Sequence, residues 1–388
     1  MIIAALTQLL WINFASIDTF AEKLLNVSAM RVGLLTMIFP LTFLILSVPA
    51  GIVIDRKGYK FSIMLGAIFT AFFALFRLIA PFSYTMLFVS QLGISLGQPF
   101  VLNSITKLAG LCFPEDEEAT AVGLGSVALF VGMIIGMGLT PILLNKFGFF
   151  FMLFAYALIS LVSVFFLYFA DKQIKENVLG NESSFKMYLN GTVNVLKIKD
   201  ILILGLIAFI SIGSFNGILT WLEKILNEMH KIPLEKAGTI ASALIFSGMI
   251  GCYVIPELSD RDGKRKPFLI IGFSVAAFSL VVFSFSKGSA LSDTIILSVM
   301  GFFAISTFPL LLTLSTEISG KKYAGFSTSF LQLLGNGAAV LIVPLINYLR
   351  NSYGNYKIPL LGISVLFLIS IFLSAILKEG THSEINHS

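Results

Sequence analysis

Apolar stretches of about twenty residues, the length that carries a helix across the hydrocarbon layer of a bilayer, follow one another along nearly the whole chain. They run over 2–21, 31–54, 62–80, 84–111, 119–144 and 148–170, and again over 201–222, 237–256, 267–286, 292–316, 323–349 and 358–377. A backbone in lipid has to satisfy its own hydrogen bonds, so each stretch is predicted to be a helix. The expectation is an all-α membrane protein of twelve transmembrane helices in two pseudo-symmetric six-helix bundles. The first bundle is assigned to 1–170, a cytoplasmic linker to 171–200, the second bundle to 201–377 and a cytoplasmic tail to 378–388. Of the 388 residues, 57% are hydrophobic and 12% charged, too few polar groups to keep such a chain in water.

The formal charge of +5 is read as loop topology and not as a nucleic-acid surface. Lys and Arg gather on the segments that are cytoplasmic when both termini are cytoplasmic, and that orientation is adopted. The plasma membrane is the default location. Cys112 and Cys252 fall near helix ends and are read as small apolar residues, with no disulfide between them.

One turn occurs twice. The first copy is Gly51-Ile-Val-Ile-Asp55-Arg56-Lys57-Gly58-Tyr59-Lys60; the second is Pro256-Glu-Leu-Ser-Asp260-Arg261-Asp-Gly263-Lys264-Arg265. The spacing is the same for the acids (260 − 55 = 205) and for the glycines (263 − 58 = 205). Both copies lie between apolar runs, as the duplicated halves of a transporter would place them. A membrane hairpin reverses within a few residues, and Gly58 and Gly263 supply backbone angles that other residues resist. Asp55 and Asp260 are placed to cap a helix N-terminus or to pair with a base.

This pattern resembles the loop between the second and third helices of the major facilitator superfamily. The first copy fits almost throughout; the second has Pro256 in place of the first glycine. The resemblance implies twelve helices in two bundles. It also implies a cytoplasmic gate latched by Asp55, Arg56 and Gly58 in one half and by Asp260, Arg261 and Gly263 in the other.

Polar groups at mid-depth in a helical membrane protein face the interior, where the pathway lies. The first run carries Gln8, Trp11, Asn13, Ser16 and Asp18. The fourth carries Gln91, Gln98 and Asn103, and the seventh Ser211, Ser214, Asn216, Trp221 and Glu223-Lys224. The eleventh carries Gln332 and Asn336, one turn apart on one face. Trp11 sits too deep for an interfacial aromatic, whereas Trp221 fits an aromatic belt and a pathway equally well. Gln98 and Gln332 either line a cavity or bond between helices. Asp18 and Glu223, also 205 residues apart (223 − 18 = 205), are either cation attractors at an outer vestibule or an outer gate paired with Arg77 or Lys224. Glu317, at the inner end of the tenth run, is expected to pair with a basic turn such as that of Arg56. His230, His382 and His387 fall in loops or the tail, so no buried histidine relay is expected. Gly132-x-x-x-Gly136 is a helix-packing signal.

Gly97-Gln98-Pro99-Phe100-Val-Leu-Asn103, followed by Lys107, Ala109 and Glu118-Ala-Thr120-Ala121, is similar to the feline leukaemia virus subgroup C receptor family of major facilitators. That family includes choline and ethanolamine carriers and proposed haem exporters. Phe308-Pro309 with Glu317, Gln332-Leu-Leu-Gly335 and Trp11-Ile12-Asn13-Phe14 resemble its tenth, eleventh and first spans. In its choline carriers a first-span Trp and a seventh-span Tyr enclose the quaternary ammonium, with a fourth-span Gln nearby. These imply roles for Trp11, Gln98 and Gln332. The Tyr position falls at Thr220, beside Trp221.

The sequence is thus read as a monomeric carrier that moves a small polar or cationic solute by alternating access, with no cofactor and no metal. Substrate binding is assigned to Trp11, Asn13, Gln98, Asn216, Trp221 and Gln332. The rivals are a proton-coupled exporter of lipophilic compounds or haem, and a non-transporting receptor or assembly protein. An enzyme is not expected: no nucleophile–base pair, metal cluster or phosphate-binding glycine loop stands out.

Overall fold

The computed structural model describes the backbone of residues 1–112, 115–170, 196–320 and 323–377, and within these the side chains of all but 55, 106–107, 109–124, 170 and 324. Most of the expected linker, at 171–195, and the whole tail, 378–388, lie outside the described residues. Every regular element among the described residues is helical. The helices are α1 (Ile2–Ile12), α2 (Asp18–Leu25), α3 (Ala29–Phe76), α4 (Tyr84–Cys112) and α5 (Glu115–Ala170). They continue with α6 (Lys199–His230), α7 (Leu234–Asp262), α8 (Lys266–Phe285), α9 (Ala290–Ser319), α10 (Ala324–Tyr353) and α11 (Lys357–Ile376).

Among the described residues, ten helices are long and apolar enough to span a bilayer, and eleven if the bent pair Ile2–Ile12 and Ala15–Leu25 forms one span. One of these, Gly125–Phe169, is 45 residues long, about 67 Å of helix against about 30 Å of hydrocarbon. It is broken at Gly148 (φ 84°) and holds two crossings. Long α3 is likewise two spans, Ala29–Ile54 and Arg56–Phe76, with the reversal at Gly58 (φ 86°, ψ 163°).

The duplication is written in the backbone as well as in the letters. Gly58 and Gly263 both take positive φ, 86° and 68°, as their turns require. The only non-glycine residues with positive φ among those described are Asn26 (51°) and Lys231 (57°), and they too are 205 apart (231 − 26 = 205). Each is the left-handed cap of its helix, α2 or α6. Gly148 and Gly354 form a further pair (354 − 148 = 206), at 84° and 74°.

The helices fall into two compact units. The first holds Met1–Ser184 with Thr220–Lys224 and Pro233–Ser242; the second holds Phe185–Leu219, Ile225–Ile232 and Ala243–Ser388. In the first, α3 packs along α4, and α1 packs along α5. Small residues set these approaches. A β-carbon on Gly66 would lie 2.6 Å from the Gly97 carbonyl oxygen, and the reverse is equally true. Gly132 and Gly136 lie against the backbone of α1 at Ala5 and Leu9, so the pattern read as a packing signal packs helices. In the second unit α8 lies between α9 and α11. Helix α9 starts with a capping box, in which Ser289 Oγ accepts from the Ser292 N–H at 3.1 Å and Ser292 Oγ accepts from the Ser289 N–H at 2.9 Å.

Candidate functional site

The first run does not form one straight helix. It breaks after Ile12, passes through a 3-10 turn at Ala15–Ile17 and resumes as α2, bent by 42°. A break inside a membrane span withdraws backbone groups from the helical ladder and is tolerated where it is buried in protein or lines a cavity. Trp11 stands immediately before this break. Its indole N–H donates to the Thr36 carbonyl of α3 at 3.1 Å. With its only polar hydrogen engaged, the ring has its π surface left for recognition. Asn13, at the break, is fully buried, and neither amide atom has a hydrogen-bond partner among the described residues. A buried amide without partners costs on the order of 1–3 kcal/mol, so Asn13 is placed for something other than stability.

Gln91 marks where α1, α3 and α4 converge: its amide donates to the Leu10 and Leu35 carbonyls, each at 3.2 Å. Gln98 is two helical turns further on the same face of α4, about 10 Å along the axis. It is buried and makes no side-chain hydrogen bond among the described residues. Gln91 thus ties helices together, and of the two roles left open for Gln98, bonding between helices is not seen among the described residues. Asn103 also ties helices, donating to Ser47 carbonyl and hydroxyl oxygens of α3 at 2.9 and 3.2 Å.

Trp221 belongs to the first unit and is fully buried, which removes the aromatic-belt alternative, since a belt residue faces lipid. Its ring lies on α3, where a β-carbon on Gly33 would sit 2.9 Å from it. The neighbouring Glu223 accepts from both the Thr19 N–H and the Thr19 hydroxyl at 2.9 Å. Thr19 is in the first turn of α2, so the carboxylate sits at the positive end of that helix. Lys224 completes the clasp by donating to Glu22 at 2.5 Å. Of the two partners expected for Glu223, neither Arg77 nor Lys224 bonds to it; α2 does. Asp18 is buried in the same unit. Arg77 is fully buried and takes no part in this clasp.

In the second unit, Asn336 donates to the Gln332 carbonyl oxygen at 2.9 Å, in keeping with the shared face read from the sequence. Asn216 is buried on α6, and the nearby Ser211 and Ser214 hydroxyls are buried without hydrogen bonds among the described residues. Helix α10 closes tightly on α6: a β-carbon on Gly213 would lie 2.5 Å from the Ala338 β-carbon.

The second turn shows which arginine matters. Arg261 is 72% exposed and pairs one turn back with Glu257; it does not touch the conserved-spacing acid Asp260. Arg265, 8% exposed, does. Its Nη2 and Nε also donate to Glu317 Oε1 at 3.0 and 3.1 Å, and its Nη1 to Ser259 Oγ at 3.0 Å. Burial lowers the pKa of this guanidinium, but the hydrogen bonds to Asp260 and Glu317 outweigh it and raise the net value. Glu317 therefore pairs with the turn of its own half. Gly263 closes the turn by donating its N–H to the Asp260 carbonyl at 3.3 Å. In the first copy Arg56 is exposed, and the Asp55 side chain lies outside the described residues. Arg265→Ala is expected to cost about 2–3 kcal/mol of stability, mostly through the stranded Glu317, whereas Arg261→Ala changes stability by less than about 0.5 kcal/mol. Thermal unfolding of the two purified variants side by side checks this.

His230 is the last residue of α6, not a loop residue, and it is buried: its Nδ1 lies 2.7 Å from Asp293 Oδ2 on α9. Its helix extends eight residues past the end expected from the apolar run.

The Major Facilitator Superfamily model matches residues 1–344. A choline/ethanolamine transporter of Danio rerio is 21% identical over 95% of this chain and 83% of its own length. A solute carrier family 49 member A3 of the same fish is 25% identical over 87% and 74%. An uncharacterised protein of Archaeoglobus fulgidus is 37% identical over 59% of this chain and all of its own. Among solved structures, a bacterial homologue of the human lysosomal transporter Spinster, inward-facing and unoccupied, matches with a TM-score of 0.75 at 15% identity, covering 97% and 96%. The Escherichia coli fucose:proton symporter matches at 0.66 and 16%, covering 98% of each chain. At such identities the structures speak for the fold alone.

Proposed function

We propose that this chain, which belongs to the Major Facilitator Superfamily and is a multi-pass membrane transporter, carries a small organic cation of the choline or ethanolamine class. It works as a monomer, by facilitated alternating access, in the plasma membrane with both termini in the cytoplasm. The observation that carries the reading is the broken first span, where the Trp11 ring, tied by its N–H, stands two residues from the unpartnered amide of Asn13. A quaternary ammonium offers no proton to donate, so an aromatic face is what recognises it. Free amides at Asn13 and Gln98 suit the hydroxyl or amine at the other end of such a molecule. The choline/ethanolamine transporters among the relatives support the substrate class, and Arg265 with Asp260 and Glu317 supplies the inner latch.

The test is uptake of radiolabelled choline into liposomes, with and without an imposed pH gradient. Saturable uptake indifferent to the gradient is expected, with Trp11→Ala raising KM about tenfold, a loss of ~1.4 kcal/mol in cation–π contact. Uptake that collapses with the gradient would favour the proton-coupled exporter. No choline uptake by a monodisperse, correctly folded preparation would remove this substrate class.

A further inference from the structure

Helices α8 and α11 run side by side and close on each other through Phe273 and Phe367, both buried, with ring centroids 6.0 Å apart. About one helical turn before Phe273 and two after Phe367 the pair parts. There Lys266, Pro267, Ile270 and Ile271 of α8 and Ala375 of α11 line a cleft of about 520 Å³, within the range of roughly 300–1,000 Å³ over which clefts take small molecules. Lys266 and Ile270 are one turn apart, as are Pro267 and Ile271, so one face of α8 supplies the wall. Opposite them, Ala375 leaves the room that a larger side chain would fill. Ile271 is 49% exposed and Phe372, one turn from Ala375, 66%. Exposed apolar side chains on a spanning helix meet acyl chains as apolar as themselves, so the cleft opens towards lipid.

One end of the cleft is charged. Lys266 stands in the first turn of α8, the positive end of that helix, and that turn holds no acid and no side-chain cap among the described residues. The Lys266 ammonium reaches across to α11 and donates to the Leu377 carbonyl at 2.5 Å. A neutral carbonyl holds the charge in place and does not cancel it. Of the acids at the adjoining turn, Glu257 pairs with Arg261, and Asp260 with Arg265, which also takes Glu317. Asp262 is the remaining acid of the segment 256–266, which carries Lys264 and Lys266 besides. In the first half the residue 205 before Lys266 is Phe61 (266 − 205 = 61), so the repeated scaffold does not call for a lysine here. We propose that the cleft between α8 and α11 is a binding site for one anionic phospholipid. Its phosphate is held at Lys266 and the first turn of α8, and an acyl chain lies on Pro267, Ile270, Ile271 and Ala375. A basic group beside an apolar wall between spanning helices is what an anionic headgroup and its chain complement.

The experiment is native mass spectrometry of the purified full-length protein in detergent, titrated with dioleoylphosphatidylglycerol or dioleoylphosphatidylcholine, whose chains are identical. One phosphatidylglycerol is expected to be retained with an apparent Kd about fivefold below that of phosphatidylcholine, the contribution of one lysine at a membrane surface. Lys266→Gln is expected to abolish this preference. Ala375→Trp, which fills the cleft and leaves the charge, is expected to weaken the binding of both lipids. Equal affinity of the wild-type protein for the two lipids, or an undiminished preference in Lys266→Gln, would overturn the site. Glycerol 3-phosphate displacing phosphatidylglycerol at equal concentration would also overturn it, since the chain would then contribute nothing. Should Lys266→Gln fail to fold, Ala375→Trp decides: unchanged phosphatidylglycerol binding in that variant overturns the proposal.

Discussion

Replacing Gly97 by leucine is expected to leave no folded, monodisperse protein. Gly97 on α4 and Gly66 on the second half of α3 each face the other's carbonyl oxygen, at 2.6 Å from where a β-carbon would be. No rotamer change relieves a clash between a β-carbon and a backbone oxygen; the helices themselves must part. That separation would also loosen the neighbouring Ser62 hydroxyl bond to the Phe100 carbonyl and strip dispersion contacts along the α3–α4 pair. Packing of this kind, and not a hydrophobic drive, is what joins helices in lipid. A loss above about 4 kcal/mol follows from such a backbone collision. Size-exclusion profiles of Gly97→Leu beside Gly97→Ala check it: leucine should aggregate or be degraded, and alanine should show a lesser form of the same defect. A normal profile for leucine would mean that α3 and α4 do not approach this closely.

His230→Ala should cost about 3–5 kcal/mol, the range for leaving a buried carboxylate without its partner. The imidazole carries three jobs in the second unit. Its Nδ1 holds Asp293 Oδ2 at 2.7 Å, while Asp293 Oδ1 has no other hydrogen bond among the described residues. Its ring lies 4.8 Å from that of Phe283. The connection between α8 and α9 passes over it at Gly288, where φ is +66° and a β-carbon would collide with the ring. Without the imidazole, a fully buried carboxylate keeps neither partner nor packing. Unfolding temperature measured across His230→Ala, Asp293→Ala and the double variant provides a double-mutant cycle. The double variant should be more stable than the sum of the single losses predicts. Strict additivity would mean that the pair contributes nothing beyond the two residues' separate packing.

The helical architecture was legible because lipid forces it: apolar runs of fixed length have few alternatives to helices. Gly58 and Gly263 were readable for the same reason, since their turns admit few other residues. What stayed hidden depended on helical phase and on tertiary contact. Arg261 and Arg265 look alike in a basic turn; the three residues between them, containing the Gly263 reversal, send one into solvent and the other onto Glu317. His230 looked like loop because the polar residues after Trp221 end the apolar run, although the helix continues and is buried by α8 and α9. Trp221 could not be placed from its depth alone, because a belt and an interior position share that depth. The break after Ile12 left no glycine or proline as a signal.

The paired positive-φ positions, Asn26 with Lys231, Gly58 with Gly263 and Gly148 with Gly354, act as full stops that fix how many residues each helix contains. Between two such stops, adding one residue turns everything downstream by about 100° and would swing a polar face towards lipid. Proteins built this way change by exchanging letters within a frame whose length is set. Both halves have drifted far apart in sequence, yet the frame between them has slipped by no more than one residue.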